Sequence, residues 1–485
     1  MNTPIRRLAL VVFAMFTALL LSTTWIQFVQ ADDLRDKPGN RRTLLESYSR
    51  DRGAILVQGE SIADSRQTDD DLRWIRSYPQ GGRYAHVTGY YSFIYGAGAG
   101  LERSRNSVLA GTDDSFFYRR LTDLVTGTTP TGAALELTID PEVQQAAEQA
   151  LGERRGAVVA LNPSTGAILA LVSRPTYDPN ALSSHNLGAV QETYEELAAD
   201  PGQPLVDRAI AGDLYPPGST FKLVVAAAAL ESGLFTPGST LEGPQRYTLP
   251  GTSTELPNFE GGRCGPTDSI SLAESITVSC NTSMAYLAGE LGADALDDRA
   301  QAFGFGQELE VPMPVTPSRY PPDPDDAQLA LTGIGQYDVR VTPLQVAMVS
   351  AAIANAGEVM RPYLVQSVRD EDLEVNDETD PSTLSRAVSQ STAQELSDMM
   401  VSVVQEGSGQ AAALSGVEVA GKTGTAEFGD NGAAHAWFTG FAPADDPQIA
   451  MAVVVESAGD SFTGESGGRV AAPIGRDVLA AGVDP

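Results

Sequence analysis

The sequence predicts a mixed α and β chain organised as an apolar anchor, a β-rich module and a large α/β domain. Three observations lead there. Residues 8–29, "LALVVFAMFTALLLSTTWIQFV", run for 22 residues without a charge, long enough for a hydrocarbon core that takes about 20. Residues 30 to about 130 carry short apolar and aromatic runs between Gly clusters and lack long helical periodicity, the pattern of strands and turns. Beyond about 140, Ala-rich helical stretches alternate with short apolar runs. The expected units are a tip at 1–7, a transmembrane anchor at 8–29, an N-terminal non-catalytic module at 30–140 and a main domain at 141–485.

Taken in order, Arg6 and Arg7 ahead of the apolar run favour a cytoplasmic N-terminus, although Arg35, Lys37, Arg41 and Arg42 behind it weaken that asymmetry. The alternative is a cleaved signal, with Val29 and Ala31 as small residues before Asp32. An apolar run of 22 residues exceeds the roughly 7–15 of a signal segment, which favours the anchor. Both readings export residues 32–485. In the module, "DRGAILVQGESIADS" and "YAHVTGYYSFIYGAGAGLE" read as strands and turns, and "DLVTGTTPTGAALELTID" as a connection leading into a strand. Asp140 before Pro141 starts a helix over "PEVQQAAEQALGE". "GAVVALNPSTGAILALVS" is a hairpin, and "HAWFTGFAP" and "IAMAVVVES" are neighbouring strands. The acidic stretch "RDEDLEVNDETDPST" reads as a solvated loop.

A net charge of −31 excludes nucleic acid as a partner, because a phosphate binder needs a basic face. With two cysteines and three histidines, and no metal-ligand spacing, neither a metal nor a cofactor is expected. In an exported domain, Cys264 and Cys280 can pair as a disulfide; two free buried thiols are the alternative, and the bridge is the expectation.

The chain has only three lysines, Lys37, Lys222 and Lys422. In "LYPPGSTFKLVVAAAALESG", Lys222 follows Ser219 by three residues at the head of an apolar helix. A serine at a helix head meets unpaired N–H groups and the positive end of the dipole, and a lysine at i+3 lies on the same face. Such a pair supplies a nucleophile and a base without histidine, since a lysine can shed its proton and an arginine cannot. Alone, the pair equally fits a capping serine and a solvated lysine. "SITVSCNTSMAYLAGELG" adds Ser279-Cys280-Asn281 at a second helix start, and "VEVAGKTGTAEF" adds Lys422-Thr423-Gly424-Thr425 on a strand.

In that order, S-x-x-K, S-x-N and K-T-G resemble the motif set of penicillin-binding proteins and class A β-lactamases. "YPPGSTFK", "GQYDVRVTPLQVAMVSAAIANAG", "GKTGTAE" and "AWFTGFAP" are similar to penicillin-binding transpeptidases, and "DRGAIL" and "GAGAGLE" resemble the N-terminal module of their class B members. The short module looks most like the actinobacterial penicillin-binding protein A group. Cys280 departs from the pattern, which has Asp between Ser and Asn.

The resemblance implies a serine β-lactamase-like fold, an antiparallel sheet flanked by helices with a helical subdomain. It implies Ser219 as acyl-accepting nucleophile and Lys222 as base. Ser279 relays a proton to the leaving amine, Asn281 holds Lys222 and the donor amide, and Lys422 adds positive charge. Thr423, Gly424 and Thr425 form the substrate-binding strand, with the N–H groups of Ser219 and Thr425 as oxyanion hole. It further implies peptidoglycan stem peptides ending in D-Ala-D-Ala and β-lactams as ligands, and division or elongation complex proteins as partners. The implied activity is membrane-anchored D,D-transpeptidation; a D,D-carboxypeptidase or β-lactamase on the same site, and a penicillin-sensing scaffold, are the alternatives. A Ser-His-Asp hydrolase is set aside, because only one of the three histidines lies close in sequence to a motif. His435 is the one histidine near a motif and could line the cleft by Lys422. Glu427 reads as the solvent-facing end of a strand, or as a residue shaping the acceptor side of the cleft.

Overall fold

The computed structural model describes residues 2–30, 48, 50–70, 72–116, 131–370, 373–427, 434–457 and 466–483. The charges at Arg35, Lys37, Arg41 and Arg42, the Ala31–Asp32 junction and the connection over 123–130 lie outside the described residues.

Helix α1, Asn2–Thr24, carries no acidic residue, and the stretch Pro4–Gln27 has a mean hydropathy of 2.1 with none of it buried. Strands β1 (Ile55–Val57), β2 (Glu60–Gln67), β3 (Trp74–Ser77) and β4 (Ala134–Leu137) follow. The main stretch then gives α2 (Pro141–Leu151), β5 (Gly156–Leu161), β6 (Ile168–Arg174), α3 (Lys222–Glu231), α4 (Asn281–Leu291) and α5 (Pro343–Ala354). It closes with β7 (Val365–Arg369), β8 (Val375–Glu378), α6 (Gln390–Gln405), β9 (Ala420–Glu427), β10 (Ala434–Ala442), β11 (Ile449–Val455) and α7 (Gly467–Ala481).

Two sheets organise these elements. The five-stranded sheet has the order β9-β10-β11-β5-β6 and every pairing is antiparallel. Its strands are apolar on both faces because both faces are covered. Along β11, Ala450, Ala452 and Val454 enter one core, with Leu344 and Ala347 of α5. Met451 and Val453 enter the other, with Val143 of α2 and Val478 of α7. This alternation is the two-residue period of a strand written into two cores. Helix α2 begins as expected: Asp140 accepts from the N–H groups of Glu142 and Val143, ahead of Pro141.

The six-stranded sheet has the order β8-β7-β4-β1-β2-β3. The solvated-loop expectation for "RDEDLEVNDETDPST" is therefore corrected: Val375–Glu378 forms a strand, exposed throughout, paired with Val365–Arg369. Backbone pairing with β7 and of β7 with β4 outweighs the poor strand propensity of the acidic residues. Within "YAHVTGYYSFIYGAGAGLE" the hairpin Tyr91–Ser92/Gly96–Ala97 is flanked by short helices at Ala85–Thr88 and Gly100–Ser104, which the reading as strands and turns lacked. Inside this module the buried Glu102 carboxylate accepts from Arg52 Nε and Arg76 Nε, both at 2.6 Å, so its charge is paired where water cannot solvate it. Glu148 of α2 ties module to main domain by pairing with Arg83 at 2.6 Å and Arg174 at 2.9 Å.

Candidate active site

The segment Tyr215-Pro216-Pro217-Gly218 delivers Ser219 to the head of a short 3₁₀ turn, Gly218–Phe221, that runs into α3. Backbones converge closely here. Gly218 has φ +53°, and a Cβ on it would lie 2.5 Å from the Thr425 carbonyl oxygen. On its other side Gly218 N–H donates to Gly335 O at 3.0 Å, and a Cβ on Gly335 would lie 2.0 Å from Gly218 O. Glycine alone suits both positions. Trp437 Nε1 donates to Pro216 O at 3.1 Å and pins the loop to β10. Helix α3 is buried nearly all round, so Lys222, on its first turn, is held rigidly in an apolar setting.

Lys222 is fully buried. Its Nζ donates to Ser279 O and Asn281 Oδ1, both at 2.8 Å, and lies 3.4 Å from Ser279 Oγ. Lys422, equally buried, donates from Nζ to Ser279 Oγ at 2.8 Å and to Thr423 O at 3.0 Å. Burial pushes the Lys222 amine well below its ordinary value, and the neighbouring Lys422 adds to that. Burial alone takes Lys422 down to about 7. One serine hydroxyl thus sits between two amines, neither of which faces a carboxylate in these contacts.

Ser279 reaches this position through a left-handed backbone, φ +59°, between the helix Leu272–Thr277 and α4. Cys280 occupies the N-cap of α4 and gives no side-chain cap. Asn258 supplies it instead, its Oδ1 accepting from Asn281 N at 3.1 Å and Thr282 N at 3.0 Å. Cys280 is bonded to Cys264, with Cα atoms 5.6 Å apart, which fastens the Asn258 loop to the head of α4.

Strand β9 is the edge of its sheet. Thr423 O receives Lys422 Nζ and Thr425 O abuts Gly218, so both carbonyls point away from β10. In an antiparallel ladder a residue's N–H and C=O point the same way. The N–H groups of Thr423, Thr425 and Glu427 therefore share this free edge, a template for one more extended chain. Thr423 Oγ1 lies 2.6 Å from Ser408 Oγ, and Thr425 Oγ1 accepts from Gly467 N at 3.3 Å. A Cβ on Gly424 would lie 3.0 Å from both Thr220 Cγ2 and Trp437 Cβ, which keeps strand and nucleophile loop in contact.

His435 stands apart from Lys422. It pairs across β10 with Ala426, packs edge-on against Tyr215 at 5.3 Å and accepts at Nδ1 from Ser457 N at 3.4 Å. Burial lowers its pKa to about 4, so it is neutral. Among the described residues, no group of three or more His, Cys, Asp or Glu side chains could hold a metal ion.

The family described as "Penicillin binding protein transpeptidase domain" matches residues 156–480, and "Penicillin binding protein A dimerisation domain" matches residues 52–135. The chain belongs to the penicillin-binding transpeptidases. It is 46% identical to peptidoglycan D,D-transpeptidase PbpA of Mycolicibacterium smegmatis, over 99% of each chain. Identity to PbpA of Mycobacterium tuberculosis is 44%, again over 99% of each. A ceftriaxone acyl-enzyme structure of penicillin-binding protein A from M. tuberculosis superposes with a TM-score of 0.87 at 44% identity, covering 91% of this chain and 100% of that one.

In this penicillin-binding transpeptidase, the sequence-derived residues around Lys222 and Lys422 come together as described. Sequence reasoning missed Asn258 and Ser408. Their partners lie 23–24 and 15 residues away, and nothing local marks either one.

Proposed function

We propose that the chain is a membrane-anchored peptidoglycan D,D-transpeptidase acting through an acyl-Ser219 intermediate. The observation that carries this is the pair of buried amines on Ser279 Oγ, one of which, Lys222, stands one turn along from Ser219. Lys222, whose amine burial and then Lys422 hold well below its ordinary pKa, takes the Ser219 proton as Oγ attacks the carbonyl of the penultimate D-alanine. The developing oxyanion is held by the N–H groups of Ser219 and Thr425, each such donor being worth roughly 10²–10³ in rate. Ser279 passes a proton to the departing nitrogen, the C–N bond breaks and D-alanine leaves. An amine of a second stem peptide then attacks the ester, forms the new amide and returns the proton to Ser219. Asn281 orients Lys222 and the donor amide, and the hydroxyls of Thr423 and Thr425 receive the terminal carboxylate beside Lys422.

The acyl-enzyme complexes of the M. tuberculosis relative with penicillin G and ceftriaxone support β-lactams as ligands of the same site. Helix α1, long and apolar enough to cross a membrane, supports a single-pass anchor at 8–29 behind a short cytoplasmic tip. Arg6 and Arg7 orient the rest, the 30–140 module and the 141–485 domain, outside. The test is an intact-mass time course of the detergent-solubilised chain with penicillin, with Ser219→Ala alongside. A single long-lived adduct that needs Ser219 is expected. Rapid turnover of the drug would favour the hydrolytic alternative, and absence of an adduct would overturn the assignment.

A further inference from the structure

A cavity of about 460 Å³ borders the nucleophile loop, and three arginines and three carboxylates line it, so its formal charges balance. Two of those carboxylates, Asp213 and Glu427, are exposed. The third, Glu456, stands directly after β11 and its side chain is only 11% exposed. Nothing in the acylation chemistry uses it.

The five-stranded sheet fixes where this carboxylate stands. Glu456 N–H donates to Arg155 O at 2.7 Å, just ahead of β5. Its Oε2 pairs with Arg155 Nε at 2.5 Å, and its Oε1 accepts from Arg208 Nε at 2.8 Å. Arg208 is held in turn: its N–H donates to Ser173 Oγ of β6, and its guanidinium to Gly202 O and Gln203 O. The buried charge is therefore paired and hydrogen-bonded, and the ends of β5, β6 and β11 together set its position.

The remaining donor to Oε1 is the Tyr215 hydroxyl, at 2.6 Å. Burial first, and then Glu456, push the Tyr215 pKa above its ordinary value, so the phenol keeps its proton and stays the donor. A hydrogen bond to an ionised acceptor is roughly twice as strong as one between neutral groups. The Tyr215 backbone exchanges bonds with Val341 at 3.0 and 2.8 Å, and its ring lies edge-on to His435 at 5.3 Å and Trp437 at 6.0 Å. Ring contacts of this kind tolerate sliding; the hydroxyl bond fixes the outer end of the side chain. From Tyr215 the chain reaches Ser219 through Pro216, Pro217 and Gly218. Both prolines have a locked φ, Pro217 at −74°, and Gly218 is wedged against Thr425 O, so a shift at Tyr215 passes along with little absorbed.

We propose that Glu456 is a positioning residue for the nucleophile: by holding the Tyr215 hydroxyl it sets the place of the Pro216-Pro217-Gly218 segment, and so of Ser219. The inference rests on Ser219 being the acylated residue and deepens that reading. Glu456 touches neither substrate nor reacting atoms and acts through Tyr215.

The test is stopped-flow acylation over a penicillin concentration series, with active sites counted by titration. It compares the detergent-solubilised full-length chain with Tyr215→Phe, Glu456→Gln and the double variant. Tyr215→Phe keeps the ring and deletes only the hydroxyl. A misplacement of about 1 Å can cost about 10²-fold, so a smaller shift is expected to lower the first-order acylation constant about tenfold. The dissociation constant of the preceding non-covalent complex and the count of titratable sites should hold, a pattern that loss of folded protein does not produce. Glu456→Gln leaves the hydroxyl a neutral acceptor and should lose less, about threefold. The double variant should match Tyr215→Phe alone, because both changes act on one bond. Tyr215→Phe acylating at the unaltered rate, or a double variant that loses the product of the two single effects, overturns the positioning role and leaves the transpeptidase reading standing. Failure of the unaltered chain to form an adduct at Ser219 overturns that reading and the inference with it.

Discussion

Replacing Lys422 by methionine should move the acid limb of penicillin acylation to higher pH. Both amines bond the same oxygen, Lys222 Nζ at 3.4 Å and Lys422 Nζ at 2.8 Å from Ser279 Oγ, so they stand no more than about 6 Å apart. At an effective dielectric near 20, two unit charges at that separation repel by roughly 3 kcal/mol, or about two pH units. A protonated Lys422 therefore makes it harder for Lys222 to hold its proton. Removing that charge lets the Lys222 pKa rise, shrinks the neutral fraction at pH 7 and slows acylation there. Because Lys422 itself titrates near 7, the two amines share their protons and the observed shift falls towards about one unit. The assay is the second-order acylation rate constant from pH 5 to 9. With only three lysines in the chain, side-chain-labelled lysine also lets the Lys222 titration be read directly by NMR when acylation is too slow to follow. An acid limb and a Lys222 titration that stay in place, or move down, would refute the coupling.

Gly218→Ala should cut acylation at least tenfold while leaving the melting temperature within a few degrees, because the new Cβ meets Thr425 O at 2.5 Å beside Ser219; wild-type acylation in this variant would refute the close approach. His86 is buried, with Nε2 2.8 Å from Pro204 O, and burial lowers its pKa from 6.5 to about 4. The unfolded chain takes up the proton first as pH falls, so stability is lost between about 6.5 and 4, by up to about 3 kcal/mol. Denaturant melts at pH 7 and 4.5 test this, and His86→Gln should flatten the difference. Reducing the Cys264–Cys280 bond, which spans 16 residues, should cost about 3 kcal/mol. It should also slow acylation by loosening Asn258 from the head of α4, seen by comparing acylation rates with and without reductant; unchanged rate and stability would refute the bracing role.

Much of this protein is local and therefore legible along the chain. The charge-free run of α1, the Asp140-Pro141 helix start, the Asn-Pro-Ser-Thr-Gly turn between β5 and β6, and the apolar strands β10 and β11 each arise within one element. The Ser219/Lys222 spacing is local too, because three residues make one helical turn. What required the fold is convergence. Lys422 reaches Ser279 across 143 positions, and Lys222 reaches Asn281 across 59. No residue-level pattern reports a distance of that kind, and only the packing of α3 against α4 and of the Gly218–Phe221 turn against β9 sets it. The fall in both lysine pKa values is tertiary for the same reason, since desolvation is a property of everything around the amine. Strand β8 shows the reverse case: an acidic stretch that reads as loop becomes a strand because β7 offers it an unpaired edge. The sequence by itself determined the membrane-length apolar helix, the helix and strand periods and the candidate reactive groups, which depend on neighbours a few residues away. Tertiary structure alone decided which of those groups meet, how dry their surroundings are and which strand edge stays open to substrate, because these depend on contacts made across the whole chain.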